Sequence, residues 1–128
     1  MKAIDTNILV RLIVKDDDEQ VARAQAFCAR GVLVSLTVVL ETEWVLRSRY
    51  GMGREYIVPV MLSFIDNANL YFSREAGVRW ALDRYRAGAD FADMIHLLDA
   101  HDADEFATFD ESLADEAGSD TPLPVLAI

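Results

Sequence analysis

The segment MKAIDTNILV, residues 1–10, holds a short apolar run that stops at a carboxylate and is followed at once by a second apolar run. The first run predicts a short strand that ends before Asp5. From Thr6 to Val14 the apolar residues recur with the three- and four-residue spacing of a helix, until the polar segment KDDDEQ ends the pattern. The chain therefore begins with a strand, an acid and a helix.

The same alternation of short apolar runs and longer helical patterns continues through the chain. Further strands are predicted at residues 32–35, 69–72, 105–109 and 125–128. Helices are predicted at residues 21–28, 36–50, 54–65, 73–88, 90–103 and 110–117, the first with Val21, Ala24, Phe27 and Cys28 as its apolar face. Gly31, Gly51 and Gly88 are expected to end three of these helices.

Strands separated by helices of this length imply right-handed crossovers, parallel pairing and helices on both faces of a sheet. The prediction is an α/β protein with a three-layer α/β/α fold and a mainly parallel central sheet. A length of 128 residues with 52% hydrophobic content is enough for one core, so we expect a single domain over residues 1–128.

The cysteine count and the absence of long apolar segments set the expected location. Cys28 is the only cysteine, so no internal disulfide can form. No secretory signal and no apolar stretch of about 18 residues is present. We therefore expect a soluble, cytoplasmic protein with no membrane partner.

The charge balance is strongly acidic. The formal net charge is -10, from 22 acids against 12 bases. Such a chain is repelled by nucleic acid and by anionic membranes unless its acids are concentrated at one place or neutralised by metal. Any role that involves a polyanion has to account for this charge.

Two acids directly follow predicted strands, Asp5 after the first and Asp110 after the segment ATF. In parallel sheets the working crevice lies at the carboxyl ends of the strands, which makes these positions candidates for a site. An aspartate there is also a good N-cap for the next helix, so the capping interpretation stays open for each. Two more acids, Glu41 and Asp93, fall near the starts of helices that begin close to strand ends.

Helix geometry distinguishes Glu41 from Glu43. Glu43 lies four residues before Arg47, a favourable spacing for a surface ion pair. Glu41 lies beside an apolar stripe that includes Val38 and Val45, and a partly buried carboxylate is costly without a cation. Glu41 is therefore the expected site residue.

In the segment DFADMIHLL, Asp90 and Asp93 lie off the apolar stripe in the first turn of the predicted helix. Their spacing suits an N-cap and an N3 residue. Asp90 is assigned mainly to capping and Asp93 to the site.

Four acids in one pocket would need a cation. Two like charges about 4 Å apart repel by roughly 4 kcal/mol at an effective dielectric near 20. Oxygen-only ligands favour a hard ion such as Mg²⁺ or Mn²⁺, which in turn favours phosphoryl chemistry.

The order and spacing of the segments DTN, SLTVVLETEWVLRSRYG, GADFADMIHLLDA and ATFDESL resemble a PIN-domain ribonuclease, and most closely the VapC toxins of bacterial toxin-antitoxin pairs. The resemblance covers nearly the whole chain. It implies a Mg²⁺- or Mn²⁺-dependent endoribonuclease whose catalytic, metal-binding quartet is Asp5, Glu41, Asp93 and Asp110.

The resemblance also implies supporting residues and partners. Thr6 and Asn7 fall in the family's first motif, and Asn7 and Thr108 would orient ligands or water. Asp90, the predicted N-cap beside Asp93, is a further supporting residue. An RNA substrate, a homodimer and a VapB-like antitoxin that covers the site are expected. Four arginines are predicted to line the RNA approach, with solvated helix surface and local ion pairs as the alternative: Arg11, Arg47, Arg49 and Arg54.

Other functions are weighed against the ribonuclease. A receiver domain would need a late lysine, and no lysine follows Lys15; a haloacid-dehalogenase-type phosphatase would need an aspartate where Asn7 stands. A non-catalytic PIN-like interaction module remains the open alternative.

Overall fold

The computed structural model describes all residues, Met1–Ile128. The chain divides into two compact units, Met1–Glu75 and Ala76–Ile128. No helix combines the length and apolar character that crossing a lipid bilayer requires. The expectation of a single domain over residues 1–128 stays a prediction.

The first unit alternates strands and helices. Its elements are β1 (Lys2–Ala3), α1 (Thr6–Val14), α2 (Asp18–Cys28), β2 (Val32–Val34), α3 (Leu36–Ser48), α4 (Arg54–Ile65) and β3 (Leu70–Phe72). The three strands form a parallel sheet in the order β1-β2-β3. Helices α1 and α2 connect β1 to β2, and α3 and α4 connect β2 to β3, so both crossovers are helical as predicted.

The sheet register places Ala3 beside Leu33 and Leu33 beside Tyr71. Helix α1 packs against α2 and α3, and α4 packs against α3 and β3. The core between them consists of fully buried aliphatic side chains, among them Leu9, Val34, Val39, Leu46, Ile57 and Met61. Cys28 ends α2 and is buried, with 6% of its surface exposed.

The second unit contains α5 (Glu75–Arg86, whose first residue closes the first unit), α6 (Phe91–Asp99), β4 (Phe106–Thr108), α7 (Leu113–Ala117) and β5 (Val125–Ala127). Strands β4 and β5 pair in parallel, with Phe106 beside Val125. Helices α5 and α6 approach closely at Gly77, where a Cβ atom would overlap the side chain of Leu98. The sequence prediction of α/β class with parallel strand pairing is confirmed.

Three glycines end helices as the sequence predicts. Gly31, Gly51 and Gly88 have φ angles of +91°, +64° and +118°, a region that is costly for residues with a Cβ atom. Each therefore turns the chain sharply after a helix.

Candidate functional site

Asp5 lies between β1 and α1 and caps the helix. Its backbone is extended, with φ −89° and ψ 175°, and its Oδ1 atom accepts a hydrogen bond from the backbone N–H of Ile8 at 3.1 Å. The N-cap interpretation is therefore confirmed. The carboxylate is exposed, and only Oδ1 is engaged in the cap, so the cap leaves Oδ2 free to bind a cation.

Asp5 shares a groove of about 200 Å³ with a second predicted acid. The walls of this groove come from the start of α1 and from α3, and they are formed by Asp5, Thr6, Asn7, Glu41, Trp44, Val45 and Arg49. Thr6 is buried, whereas Asn7 is exposed. The structure thus brings Asp5, Asn7 and Glu41 to one place.

The buried acid of α3 is Glu43 and not Glu41, so the predicted burial of Glu41 is wrong. Only 3% of Glu43 is exposed, whereas Glu41 is exposed. The buried face of α3 is Val39, Thr42, Glu43, Val45 and Leu46.

Glu43 does pair with Arg47, whose Nε atom lies 2.8 Å from its Oε2. The predicted pair exists, but its acid is inside the protein and not on the surface. The place of Glu41 in the site is therefore supported by its shared groove with Asp5 and not by burial.

Two other predicted acids meet in the second unit, together with an acid that the sequence analysis did not select. Carboxylate oxygens of Asp93, Asp110 and Glu116 all lie within 4.8 Å of one another. Asp93 is in the first turn of α6, Asp110 follows β4, and Glu116 is on α7. The structure thus brings together Asp93 and Asp110, as predicted.

Asp90 caps α6 and holds its first turn. The Oδ1 atom of Asp90 accepts a hydrogen bond from the backbone N–H of Asp93 at 3.0 Å. This arrangement confirms Asp90 as the N-cap and Asp93 as the N3 residue. The cap fixes the backbone that presents the Asp93 carboxylate to the cluster.

The surroundings of the Asp93 carboxyl group disfavour its charged form. Burial raises the pKa of Asp93, and the negative charges of Asp90, Glu116 and Asp110 raise it further, while His96 acts in the opposite direction. An acid that is disfavoured in its charged form by burial and by like charges is common at catalytic and metal sites.

The side chain of Asp110 is held by hydrogen bonds from Ser112, and it does not cap α7. Its Oδ1 atom accepts hydrogen bonds from the hydroxyl of Ser112 at 2.7 Å and from the backbone N–H of Ser112 at 2.9 Å. These bonds lower the pKa of Asp110. Ser112 occupies the N-cap position, so the capping interpretation of Asp110 is wrong.

Thr108 has a positioning role at the end of β4. Its Oγ1 atom accepts a hydrogen bond from the backbone N–H of Asp110 at 3.0 Å. The threonine thereby fixes the turn that carries the acid. Its predicted role in orienting ligands or water stays a prediction.

Glu116 is the site residue that sequence reasoning missed. Glu116 lies in the helix predicted at residues 110–117 but was not selected, because the pattern of so short a helix does not show which face is buried. Leu113 and Ala117 are the buried residues of α7, and Glu116 adjoins that face. The hydroxyl of Ser112 lies 3.2 Å from Oε1 of Glu116, so one serine contacts both Asp110 and Glu116. The four-residue spacing of Ser112 and Glu116 was the sequence signal that could have indicated this contact.

The cluster in the second unit fits a divalent cation. Its three carboxylates supply only oxygen donors, which hard ions such as Mg²⁺ and Mn²⁺ prefer. At these separations like charges repel, and a divalent cation removes that repulsion. Asp5 and Glu41 form the second acidic group, in the first unit. A single metal centre made by all four predicted acids stays a prediction.

The four predicted RNA-contacting arginines have different surroundings. Arg11 donates to Oε1 of Gln20 at 2.6 Å and to Oδ1 of Asp16 at 2.7 Å. A hydrogen bond to Tyr50 raises the pKa of Arg11. Arg47 pairs with Glu43.

The other two arginines differ from this pair. Arg49 lines the groove with Asp5 and Glu41, and Arg54 begins α4 and is half-buried. The ion-pair alternative is therefore favoured for Arg11 and Arg47, whereas Arg49 faces the candidate site.

Comparison with known proteins agrees with the fold. The family model described as PIN domain matches residues 2–118 of the chain. No curated protein and no solved structure matches it. The family match, the seven helices and the parallel sheet confirm the predicted PIN-like α/β/α fold class.

Proposed function

Because the chain belongs to the PIN-domain family, we propose that it is a Mg²⁺- or Mn²⁺-dependent endoribonuclease that hydrolyses RNA phosphodiester bonds. PIN domains are in general nucleases that use divalent metal ions. The observation that supports this function most directly is the cluster of Asp93, Asp110 and Glu116, whose carboxylate oxygens lie within 4.8 Å of one another.

The residues divide into ligands and supports. Asp93, Asp110 and Glu116 would hold a metal ion in the second unit, and Asp5 and Glu41 form a separate acidic group in the first. A bound divalent ion polarises the phosphate, lowers the pKa of a water molecule and stabilises the leaving oxygen. Asp90 and Thr108 fix the backbones of Asp93 and Asp110 through the hydrogen bonds described above. Asn7 lies in the groove of Asp5, where its amide is free to orient substrate or water.

The experiment uses asparagine substitutions, because asparagine caps helices about as well as aspartate but lacks the charge. Asp5→Asn and Asp93→Asn therefore remove ligands without removing the Asp5 cap. Asp17→Asn is the matched control for Asp5, since Asp17 caps α2 through the backbone N–H of Gln20 at 3.0 Å. Asp99→Asn is the control for Asp93, since it is exposed at the other end of α6.

Each protein is incubated with total cellular RNA in Mg²⁺, in Mn²⁺ and in a chelator. We expect the wild type and both controls to cleave RNA only with metal, and both ligand variants to lose at least about a hundred-fold in rate, because even supporting residues of metal sites cost ten- to a hundred-fold. Absence of cleavage by the wild type under either metal would favour the non-catalytic interaction module. Cleavage in the chelator would exclude the metal mechanism.

The finer biological role is also proposed. The resemblance of the four motifs to VapC toxins supports a toxin of a toxin-antitoxin pair, acting as a homodimer on cytoplasmic RNA and covered by a VapB-like antitoxin. Expression of the wild type is then expected to stop growth, and Asp93→Asn to be tolerated at the same protein level. Equal growth arrest by both would contradict the toxin role.

A further inference from the structure

Two clefts of the first unit share one wall, formed by Asp5 and Asn7. The larger cleft, of about 370 Å³, lies towards α2 and is lined by Arg11, Arg23 and Phe27, among others. The smaller is the groove of about 200 Å³ towards α3, which includes Trp44 and Arg49. The proposed metal ligand Asp5 is therefore flanked by two clefts, and each contains one large aromatic ring and at least one arginine.

The cleft towards α2 exposes a phenylalanine that the sequence pattern assigns to the buried face. Phe27 is 43% exposed, whereas Val21, Ala24 and Cys28 of the same predicted face are buried. The ammonium group of Lys2 lies 5.1 Å from the centre of the Phe27 ring. Arg23 is highly exposed, and its nearest carboxylate, Glu19, is 3.7 Å away. Phe27 therefore presents an exposed ring, with cations beside it, in the cleft that also contains the candidate catalytic acid Asp5.

The groove towards α3 repeats this combination. Trp44 is 49% exposed on the helix that carries Glu41, and Arg49 lies in the same groove. Indole and phenyl rings stack on nucleobases of any sequence, because every base has an aromatic face. Arginine adds contacts to phosphate oxygens and to rings.

We propose that Phe27 and Trp44 are stacking platforms for the bases on the two sides of the phosphate held near Asp5, with Arg23 and Arg49 contacting the backbone. This proposal rests on the proposed ribonuclease function. It accounts for RNA binding by a chain with a net charge of -10, because stacking supplies affinity that does not depend on net positive charge. Both rings lie in clefts that share Asp5, so a single-stranded RNA that passes over Asp5 can place one base in each cleft.

The test measures base stacking directly by fluorescence. The chain has two tryptophans, so Trp80→Phe leaves Trp44 as the only indole, and Asp93→Asn prevents turnover. The probes are single-stranded oligouridylate and oligoadenylate about ten nucleotides long, and an abasic ribose-phosphate oligomer of the same length and charge. We expect the two base-containing probes to quench Trp44 fluorescence and the abasic probe to leave it unchanged.

Affinity is then measured by fluorescence anisotropy for Phe27→Leu and Trp44→Leu, which keep apolar bulk but lack a ring. Each is expected to bind the base-containing probes roughly five-fold or more weakly, with abasic binding unchanged. Tyr56→Leu is the matched control, because Tyr56 is 51% exposed and lines neither cleft. Melting curves of all variants establish that each one is folded.

Each alternative result has a distinct meaning. If the abasic probe quenches Trp44 and binds as strongly as the base-containing probes, the proposed stacking is wrong, because binding then depends on charge alone. A changed oligomeric state of Trp44→Leu or Phe27→Leu in sedimentation, with unchanged RNA affinity, would also overturn them and identify a protein interface instead. Metal-dependent cleavage without base-dependent quenching would refute the platforms and leave the ribonuclease intact, whereas base-dependent quenching without cleavage would refute only the ribonuclease.

Discussion

Asp93 and Asp110 are neighbours in one cluster, but their pKa values are shifted in opposite directions. Burial and nearby carboxylates raise the pKa of Asp93, whereas the hydrogen bonds from Ser112 lower that of Asp110. Without metal, Asp93 is therefore the acid of this pair that takes up a proton first as the pH falls. A divalent ion, which requires both groups to be ionised, competes with that proton.

The charge of Asp93 should cost the metal-free protein stability. Between the ordinary pKa of an aspartate and the raised folded value, the folded state holds more protons than the unfolded state, so stability falls as the pH rises through that window. Asp93→Asn removes this loss of stability, because asparagine does not ionise. We expect its melting temperature in a chelator to exceed that of the wild type by about 1–3 °C at neutral pH.

Calorimetry at neutral pH and near pH 4 checks this expectation. The difference between Asp93→Asn and the wild type should shrink in acid, because a larger fraction of the wild-type carboxyl is then protonated. Asp99→Asn serves as the control. A lower melting temperature for Asp93→Asn at neutral pH would show that the favourable charge at the start of α6 outweighs burial.

Helix α7 has only five residues and depends on contacts outside itself. Arg84 on α5 provides them: its Nε atom donates to the backbone carbonyl of Glu116 at 2.7 Å, and its Nη2 atom donates to that of Asp115 at 3.2 Å. The guanidinium also lies close to Gly118, where a Cβ atom would be 3.1 Å from Cζ of Arg84. Arg84 thus satisfies carbonyls at the end of the helix that presents Glu116.

Arg84→Ala should release α7 and weaken metal binding without removing a ligand. We expect Mn²⁺ affinity, measured by titration calorimetry, to fall about ten-fold, as for other positioning residues of metal sites. Arg84→Lys should restore part of the affinity, because lysine keeps one cationic nitrogen that can donate to these carbonyls. Arg86→Ala is the control, since Arg86 is exposed on the same helix. Loss of thermal stability with unchanged Mn²⁺ affinity would limit Arg84 to a role in folding.

At the scale of the whole molecule, the excess of acids over bases is the dominant feature. The net charge of -10 makes the folded state repel itself, and part of that charge is concentrated at the two acidic groups. A divalent ion at these groups stabilises the folded protein in two ways, by binding it and by reducing its repulsion.

Mn²⁺ should therefore raise the melting temperature of the wild type strongly. At a concentration about a hundred times the dissociation constant, binding contributes about 2.7 kcal/mol to the free energy of unfolding. Thermal melts of Asp93→Asn and Asp110→Asn should show only a small part of this gain. NaCl at matched ionic strength separates site binding from general screening, and an equal gain in NaCl would argue against a specific ion.

The fold could be predicted from the sequence because its signals are local. The apolar spacing of Leu9, Leu12 and Ile13 and the terminal glycines follow from helix geometry within one or two turns. The site was only partly predictable. The N-cap and N3 positions of Asp90 and Asp93 were predicted correctly from capping chemistry, whereas Glu41 and Glu43 were distinguished by a burial argument that the structure reverses. Glu116 was missed because a five-residue helix has too little periodicity to show its buried face.

The lone cysteine lies where its reactivity depends on the packing of α2. Cys28 is buried at the end of α2, and burial raises the pKa of its thiol. Because thiol-directed reagents require an accessible thiolate, burial and the raised pKa slow their reaction with Cys28 in the folded protein. The Sγ atom should therefore be labelled faster whenever the end of α2 leaves the core, so its labelling rate reports local opening at that point of the chain without an engineered probe.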